Sequence, residues 1–179
     1  MATVSGNCDL LRVHRASGAA HHGILAAGSL VMPCALGRAG IRRRKREGDG
    51  ASPEGVFPLR KLYFRRDRLP RPRSALETAA IFPDLGWCDD PASLAYNSAV
   101  RLPTAARHER MWRDDHLYDL VIVIGFNDDP APLRPFGSAI FLHLARPGFA
   151  PTEGCVALRR HDLRRLLPRI GPDTKIAIG

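Results

Sequence analysis

The chain has 179 residues and a mass of 19.7 kDa, with 45% hydrophobic and 25% charged residues. This length supports one domain with a hydrophobic core, and the composition excludes a disordered or fibrous protein. No stretch reaches the roughly 18 apolar residues of a membrane helix, which excludes an integral membrane protein. The 27 Lys and Arg against 18 Asp and Glu give a net charge of +9. That excess indicates either an anionic partner or a solvated basic face. No nucleic-acid-binding motif is present, so nucleic acid is not an expected partner.

Residues 1–22 are predicted to form an N-terminal segment that can include a first strand at Leu10–His14. Met1–Asn7 lacks the charged start, apolar stretch and cleavage site of a secretory signal, so no export signal is visible here. The main domain is predicted to span residues 23–179, and its first apolar run, Ile24–Leu36, predicts one or two strands.

The middle of the chain mixes one strand pattern with polar segments. Ile41–Arg46 is a basic run that leads into a glycine turn. Val56–Phe64 is typical of a strand, and the Arg- and Pro-rich segment Arg65–Arg73 predicts an exposed loop. The stretch from about Pro83 to Arg107 has little periodicity, which is typical of a binding loop or lid.

The strongest strand pattern is Tyr118–Phe126, whose continuous β-branched run predicts a central strand covered on both faces. Ser138–Leu144 and the short run Cys155–Leu158 follow as strands. Leucines at helical spacing predict a helix at His161–Leu167, and Lys175–Ile178 predicts a final edge strand. The fold class is therefore mainly β with one principal helix.

The cysteines are far apart and include no C-x-x-C pair, so a zinc site is not expected. At most one disulfide, with Cys34–Cys88 as the candidate pair, could form in an oxidising compartment. Most isolated cysteines are small buried apolar residues, and a structural thiol is the expectation for Cys88.

Cys155 differs from the other cysteines because it follows a glycine turn. Such a turn leaves backbone N–H groups free to form an oxyanion hole. His143 lies twelve residues upstream, near the end of a predicted strand. An imidazole in reach of the sulfur would activate it for acyl transfer, although a core histidine and a buried cysteine would give the same pattern.

Three stretches of the chain resemble the YkuD-type L,D-transpeptidase family. Lys45–Phe57 (K-R-E-G-D-G-A-S-P-E-G-V-F) is similar to the family's K-x-G-D-G-x-[TS]-P-x-G-x-F segment. Gly137–His143 is similar to the strand that ends in the catalytic histidine. Pro151–Leu158 (P-T-E-G-C-V-A-L) is similar to the [ST]-H-G-C-[VI] motif of the nucleophile.

The resemblance implies a β-sandwich in which Cys155 is the nucleophile and His143 is the general base and acid. The N–H of Gly154, with that of Cys155, is implied to hold the oxyanion. Peptidoglycan stem peptides are the implied donor and acceptor, and no metal or cofactor is needed. The implied location is the periplasm or cell envelope. The alternative is a catalytically silent wall-binding domain with the same fold.

Two positions depart from the family pattern, because Glu153 replaces the usual histidine and Ala157 replaces the usual arginine. The His-to-Cys interval is also shorter than is common in the family. Since the missing arginine is thought to hold a substrate carboxylate, Arg146 is the candidate to replace it. A solvated arginine is the alternative for Arg146.

Four further residues are candidates for contact with substrate. Tyr118 and Asn127 flank the central strand and are expected at the cleft, with packing and turn capping as the alternatives. Trp87 is expected either to line the substrate groove or to belong to the core. Ser138 is a candidate near the histidine, where Ser138 or Gly137 could also orient the imidazole.

Overall fold

A computed structural model describes residues 8–179, and the Met1–Asn7 segment considered for a secretory signal lies outside this range. The described chain has one α-helix, α1 (Arg160–Leu166), and 3₁₀ turns at Pro147–Phe149 and Leu167–Arg169. Its strands are β1 (Leu10–Arg15), β2 (His22–Ala27), β3 (Leu30–Ala35), β4 (Ile41–Arg42), β5 (Ser52–Pro53), β6 (Gly55–Phe64), β7 (Thr78–Ala80), β8 (Leu85–Cys88), β9 (Ser98–Arg101), β10 (His108–Arg110), β11 (Leu120–Ile124), β12 (Phe141–Leu144), β13 (Val156–Leu158) and β14 (Lys175–Ile178). The predicted fold class, mainly β with one principal helix after Cys155, is confirmed.

The main sheet has nine strands in the order β11-β12-β13-β3-β2-β1-β14-β6-β7, and β11 also pairs with β6. The sheet therefore closes on itself and leaves β7 as its free edge. Strands β12 and β13 are parallel, with Leu142 opposite Val156 and His143 opposite Ala157. Parallel neighbours cannot be joined by a tight hairpin, so a loop runs back along the sheet and brings Cys155 to the start of β13.

Strand β11 separates two apolar cores, as its sequence predicts. Leu120, Ile122 and Ile124 face the main core, whereas the alternate residues Val121 and Val123 face a second cluster. We call this second cluster the site cluster. Its buried members are Tyr63, Ile81, Trp87, Met111, Tyr118, Val121, Val123, Phe141 and Cys155.

Two predictions for the C-terminal elements have different outcomes. The helix predicted at His161–Leu167 corresponds to α1 and the 3₁₀ turn after it, and it buries Leu163 and Leu166. Strand β14 is present, but its prediction as an edge strand is wrong because it pairs with both β1 and β6. Alternating polarity reports which faces of a strand are buried and does not report whether its edges are paired.

The prediction of a structureless stretch from Pro83 to Arg107 is also wrong. Strands β8 and β9 lie in this stretch, and with β10 they form a three-stranded antiparallel sheet in the order β10-β8-β9. Strands of three or four residues are too short to give a periodic pattern. This small sheet brings Trp87 into the site cluster.

The Arg- and Pro-rich segment is mostly exposed, but its first residue is buried and Leu69 packs partly against the main core. Arg65 is buried, donates to Asp67 and to the Arg113 carbonyl, and stacks 3.7 Å above the Trp112 ring. The expectation of an exposed loop is therefore wrong for Arg65. Its buried guanidinium anchors the segment to the loop after β10, because each of its three nitrogens has a hydrogen-bond partner.

The disulfide candidate does not form. All four cysteines are free, and both Cys34 and Cys88 are buried. Cys34 lies in the main core, where burial raises the pKa of its thiol to about 12. These two residues therefore act as small apolar side chains.

Candidate active site

The turn before Cys155 is held by Thr152. The Thr152 hydroxyl donates to the Cys155 carbonyl (2.7 Å) and accepts from the Gly154 N–H (3.1 Å). The Thr152 backbone N–H donates to the Leu36 carbonyl (2.9 Å), and its carbonyl accepts from the Arg38 N–H (3.0 Å). These bonds attach the turn to the chain that follows β3 and so fix the start of β13.

Only glycine fits at position 154. Its φ of +136° lies in a region that L side chains rarely adopt, and an added Cβ would lie 2.6 Å from the Ala51 carbonyl oxygen. The Gly154 N–H, expected to hold an oxyanion, instead donates to Thr152. Among the hydrogen bonds of residues 8–179, none uses the N–H of Cys155, which leaves that donor for an oxyanion.

The Cys155 sulfur is held between two backbone groups of the segment leading into β12. Its Sγ–H donates to the Ala139 carbonyl (3.3 Å), and Sγ accepts from the Phe141 N–H (3.4 Å). The residue is only 7% exposed, and burial raises the pKa of its thiol to about 12. The Cys155 side chain is therefore a neutral thiol near pH 7.

His143 has one ring nitrogen bound and one available. Its Nδ1 lies 2.9 Å from the Leu144 carbonyl, which places the proton on Nδ1 and the lone pair on Nε2. This carbonyl is the group that orients the imidazole. Burial lowers the pKa of His143 to about 4, so the ring is neutral near pH 7. No hydrogen bond joins this ring to Cys155 among the described residues, but both side chains line one cleft.

Charged and aromatic side chains form one wall of this cleft. The Tyr118 hydroxyl donates to Glu109 (2.6 Å), and the Tyr118 ring packs edge-on against His143 with centroids 5.3 Å apart. Arg113 makes a two-point ion pair with Asp115 (2.9 and 2.7 Å). Burial raises the pKa of Glu109, although Tyr118 and Arg113 oppose this shift.

Tyr118 lines the cleft and its contact with substrate stays a prediction, whereas Glu109 and Arg113 were missed. No motif surrounds these two residues in the sequence. They reach the cleft because β10 pairs with β8 beside the site cluster, a contact between segments distant in sequence.

Arg146 also lines the cleft, and its exposed side chain makes no ion pair within the described part of the chain. Glu153 instead forms an exposed ion pair with Arg38. Ala157 is opposite His143 in the β12–β13 pairing, so a small side chain occupies the position of the family's usual arginine. Arg146 is therefore the cation of the cleft that is free to bind an anion.

The other three candidates do not line the cleft. Trp87 packs edge-on against Phe141, with ring centroids 5.2 Å apart, and lies in the site cluster. The Asn127 amide donates to the carbonyls of Leu133 and Gly137 and thereby holds a turn. The Ser138 hydroxyl donates to Glu47 (2.7 Å) and makes no contact with the imidazole.

The cleft gives no sign of a metal centre. Within residues 8–179, no group of three or more His, Cys, Asp or Glu side chains is arranged to hold a metal ion. The chemistry of the cleft is that of a thiol, an imidazole and a free backbone N–H.

A cysteine thiol and a neutral histidine in one cleft of a closed β-sandwich are the groups that a cysteine-dependent acyl-transfer domain requires. The chain belongs to the YkuD family, since the family model described as the L,D-transpeptidase catalytic domain matches residues 20–178. This family implies peptidoglycan as substrate, and its members are typically extracytoplasmic. A comparison with curated proteins gave no match. In residues 8–179, no helix has the length and apolar character needed to cross a bilayer.

Proposed function

We propose that this chain is an L,D-transpeptidase that acts on peptidoglycan stem peptides through a thioester on Cys155. The proposal rests on the shared cleft of Cys155 and His143, in which Nε2 carries the lone pair. The proposed catalytic domain is residues 23–179, with β1 of the preceding segment completing its sheet between β2 and β14. The proposed location is the periplasm or cell envelope.

In the first half-reaction, the proton of the Cys155 thiol passes to Nε2 of His143. The thiolate attacks the amide carbonyl after the third residue of a stem tetrapeptide, and the N–H of Cys155 supports the oxyanion. The C–N bond then breaks as His143 returns the proton to the amine of the leaving D-alanine. A thioester on Cys155 remains.

In the second half-reaction, a side-chain amine of another stem attacks the thioester. The C–S bond breaks, the amine proton returns to the thiol through His143, and a 3→3 cross-link forms. Water as the acceptor gives a tripeptide instead, which is L,D-carboxypeptidase activity. Both outcomes use the same nucleophile and base.

The test is incubation of the full chain with a purified disaccharide-tetrapeptide, followed by mass analysis. We expect release of D-alanine with either dimer or tripeptide, and no product from Cys155→Ala. A carbapenem should acylate the wild-type chain at Cys155. A catalytically silent wall-binding domain would give neither product nor a preference for Cys155 over Cys8, and would contradict the proposal.

Arg146 is proposed to bind the carboxylate of the donor stem, since it lines the cleft that contains Cys155 and makes no ion pair among residues 8–179. We expect Arg146→Ala to raise KM about tenfold with little change in kcat, because a charge-assisted hydrogen bond contributes about 1.5–3 kcal/mol. Arg164→Ala, which removes an exposed arginine of α1, is the matched control. An unchanged KM in Arg146→Ala would exclude this role.

A further inference from the structure

The Cys155 thiol proton is directed at the Ala139 carbonyl (3.3 Å) and not at His143. Ala139 has φ +52°, a left-handed conformation that is unfavourable for a residue with a Cβ. A backbone in this state persists only where its surroundings hold it. The carbonyl that binds the thiol is therefore held in place by a neighbouring group.

Asn97 is that group. Its side-chain oxygen accepts from the Ala139 N–H (3.0 Å) and from the Trp87 indole N–H (3.1 Å). Its amide nitrogen donates to the carbonyls of Phe126 and Asn127, both at 2.9 Å. The residue is 8% exposed. A carboxylate could not donate to those two carbonyls, and an alanine could make none of the four bonds.

We propose that Asn97 is a positioning residue that keeps the Cys155 thiol protonated and turned away from His143 by holding the Ala139 carbonyl against it. The inference rests on the proposed role of Cys155 as nucleophile. A hydrogen bond from S–H to a carbonyl stabilises the neutral thiol, whereas the Phe141 N–H stabilises the thiolate. When the Ala139 peptide turns, the S–H is released to Nε2 of His143, and proton transfer gives a thiolate and an imidazolium.

Other groups also act on this thiol. Glu109 and Glu153 raise its pKa, and Lys45 lowers it. Tyr118, His143, Arg113 and Arg146 line the same cleft. All of these groups are retained in variants at positions 97 and 139. A change in the titration of Cys155 in those variants therefore reports either on the Ala139 carbonyl or on the burial of the sulfur, which is the largest cause of its raised pKa.

The test is the pH dependence of Cys155 alkylation by iodoacetamide in the full chain, with the modified cysteine located by peptide mass analysis. We expect Asn97→Ala to raise the rate near pH 7.5 about tenfold and to lower the midpoint of the profile by about one pH unit, since one unit corresponds to a tenfold change in thiolate. Thr174→Val is the control, because it removes a buried hydroxyl that joins two backbone segments elsewhere.

A second substitution distinguishes the effect of the Ala139 carbonyl on the Cys155 thiol from the effect of a general opening of the cleft. Glycine adopts positive φ without support, so Asn97→Ala combined with Ala139→Gly should restore the slow rate and the high midpoint. Ala139→Val, which disfavours positive φ, should reproduce the shift even if Asn97→Ala does not fold. An unshifted midpoint in the folded Asn97→Ala or Ala139→Val variant, or no restoration by glycine, overturns the proposal. Product formation from the tetrapeptide is measured separately, so failure of transpeptidation is distinguishable.

Discussion

His143→Gln is expected to lower kcat/KM for the tetrapeptide by about 10²- to 10⁴-fold, the usual contribution of a general base. Glutamine has a similar size and can still donate to the Leu144 carbonyl, but it has no lone pair of comparable basicity to take the thiol proton. The measurement is the steady-state rate of D-alanine release at several substrate concentrations. A loss below tenfold would show that another group deprotonates Cys155.

The His143→Gln variant also tests how activity and stability depend on pH. Burial lowers the pKa of His143 from 6.5 to about 4 in the folded chain, so activity should persist below pH 6 and fall near pH 4. The unfolded chain binds a proton near pH 6.5, which the folded chain does not. The free energy of unfolding is therefore unaffected by His143 protonation above pH 6.5. It declines by about 3 kcal/mol as the pH falls to 4. Denaturant unfolding of His143→Gln should lack this decline.

Gly154→Ala is expected to lower activity at least about 100-fold and the free energy of unfolding by about 1–3 kcal/mol. The new Cβ meets the Ala51 carbonyl, which cannot easily withdraw because the Ala51 N–H is bound to Asp49 (2.9 Å). The turn that carries the nucleophile must move instead. D-alanine release and urea unfolding measure the two effects.

Gly148→Ala is the matched control for this substitution. Gly148 also has positive φ (+69°) and lies in the loop between β12 and β13, but an added Cβ would meet nothing within 4 Å. It should lose some stability from backbone strain while keeping its activity. Equal activity losses in the two variants would mean that strain, and not the collision with Ala51, impairs the site.

The sequence predicted best the elements with a strong local pattern. The β-branched run of β11 indicated a strand covered on both faces, and the leucine spacing indicated α1. Strand β14 was predicted to be an edge strand. Its alternating residues indicate which of its faces is buried, but they do not indicate whether its edges are paired. Strands β8 and β9 were missed because each spans only four residues.

The candidate site was predictable where chemistry and local sequence coincide. Cys155 after a glycine turn and His143 in a strand were recognised from their segments, and the cleft contains both. Glu109, Arg113 and Asn97 were not recognised, because their contacts are made by the small β8–β10 sheet and the turns around it. Asn127 was a candidate for the cleft with turn capping as the alternative, and its amide holds a turn.

The sequence by itself determined the family, the mainly β fold and the identity of the thiol and imidazole, since each depends on residue types within short segments. The tertiary structure alone decided which hydrogen bonds those groups make. The thiol donates to Ala139, the imidazole to Leu144 and the Gly154 N–H to Thr152. Hydrogen bonding requires positions accurate to a few tenths of an ångström, and those positions depend on how the closed sheet brings distant segments together.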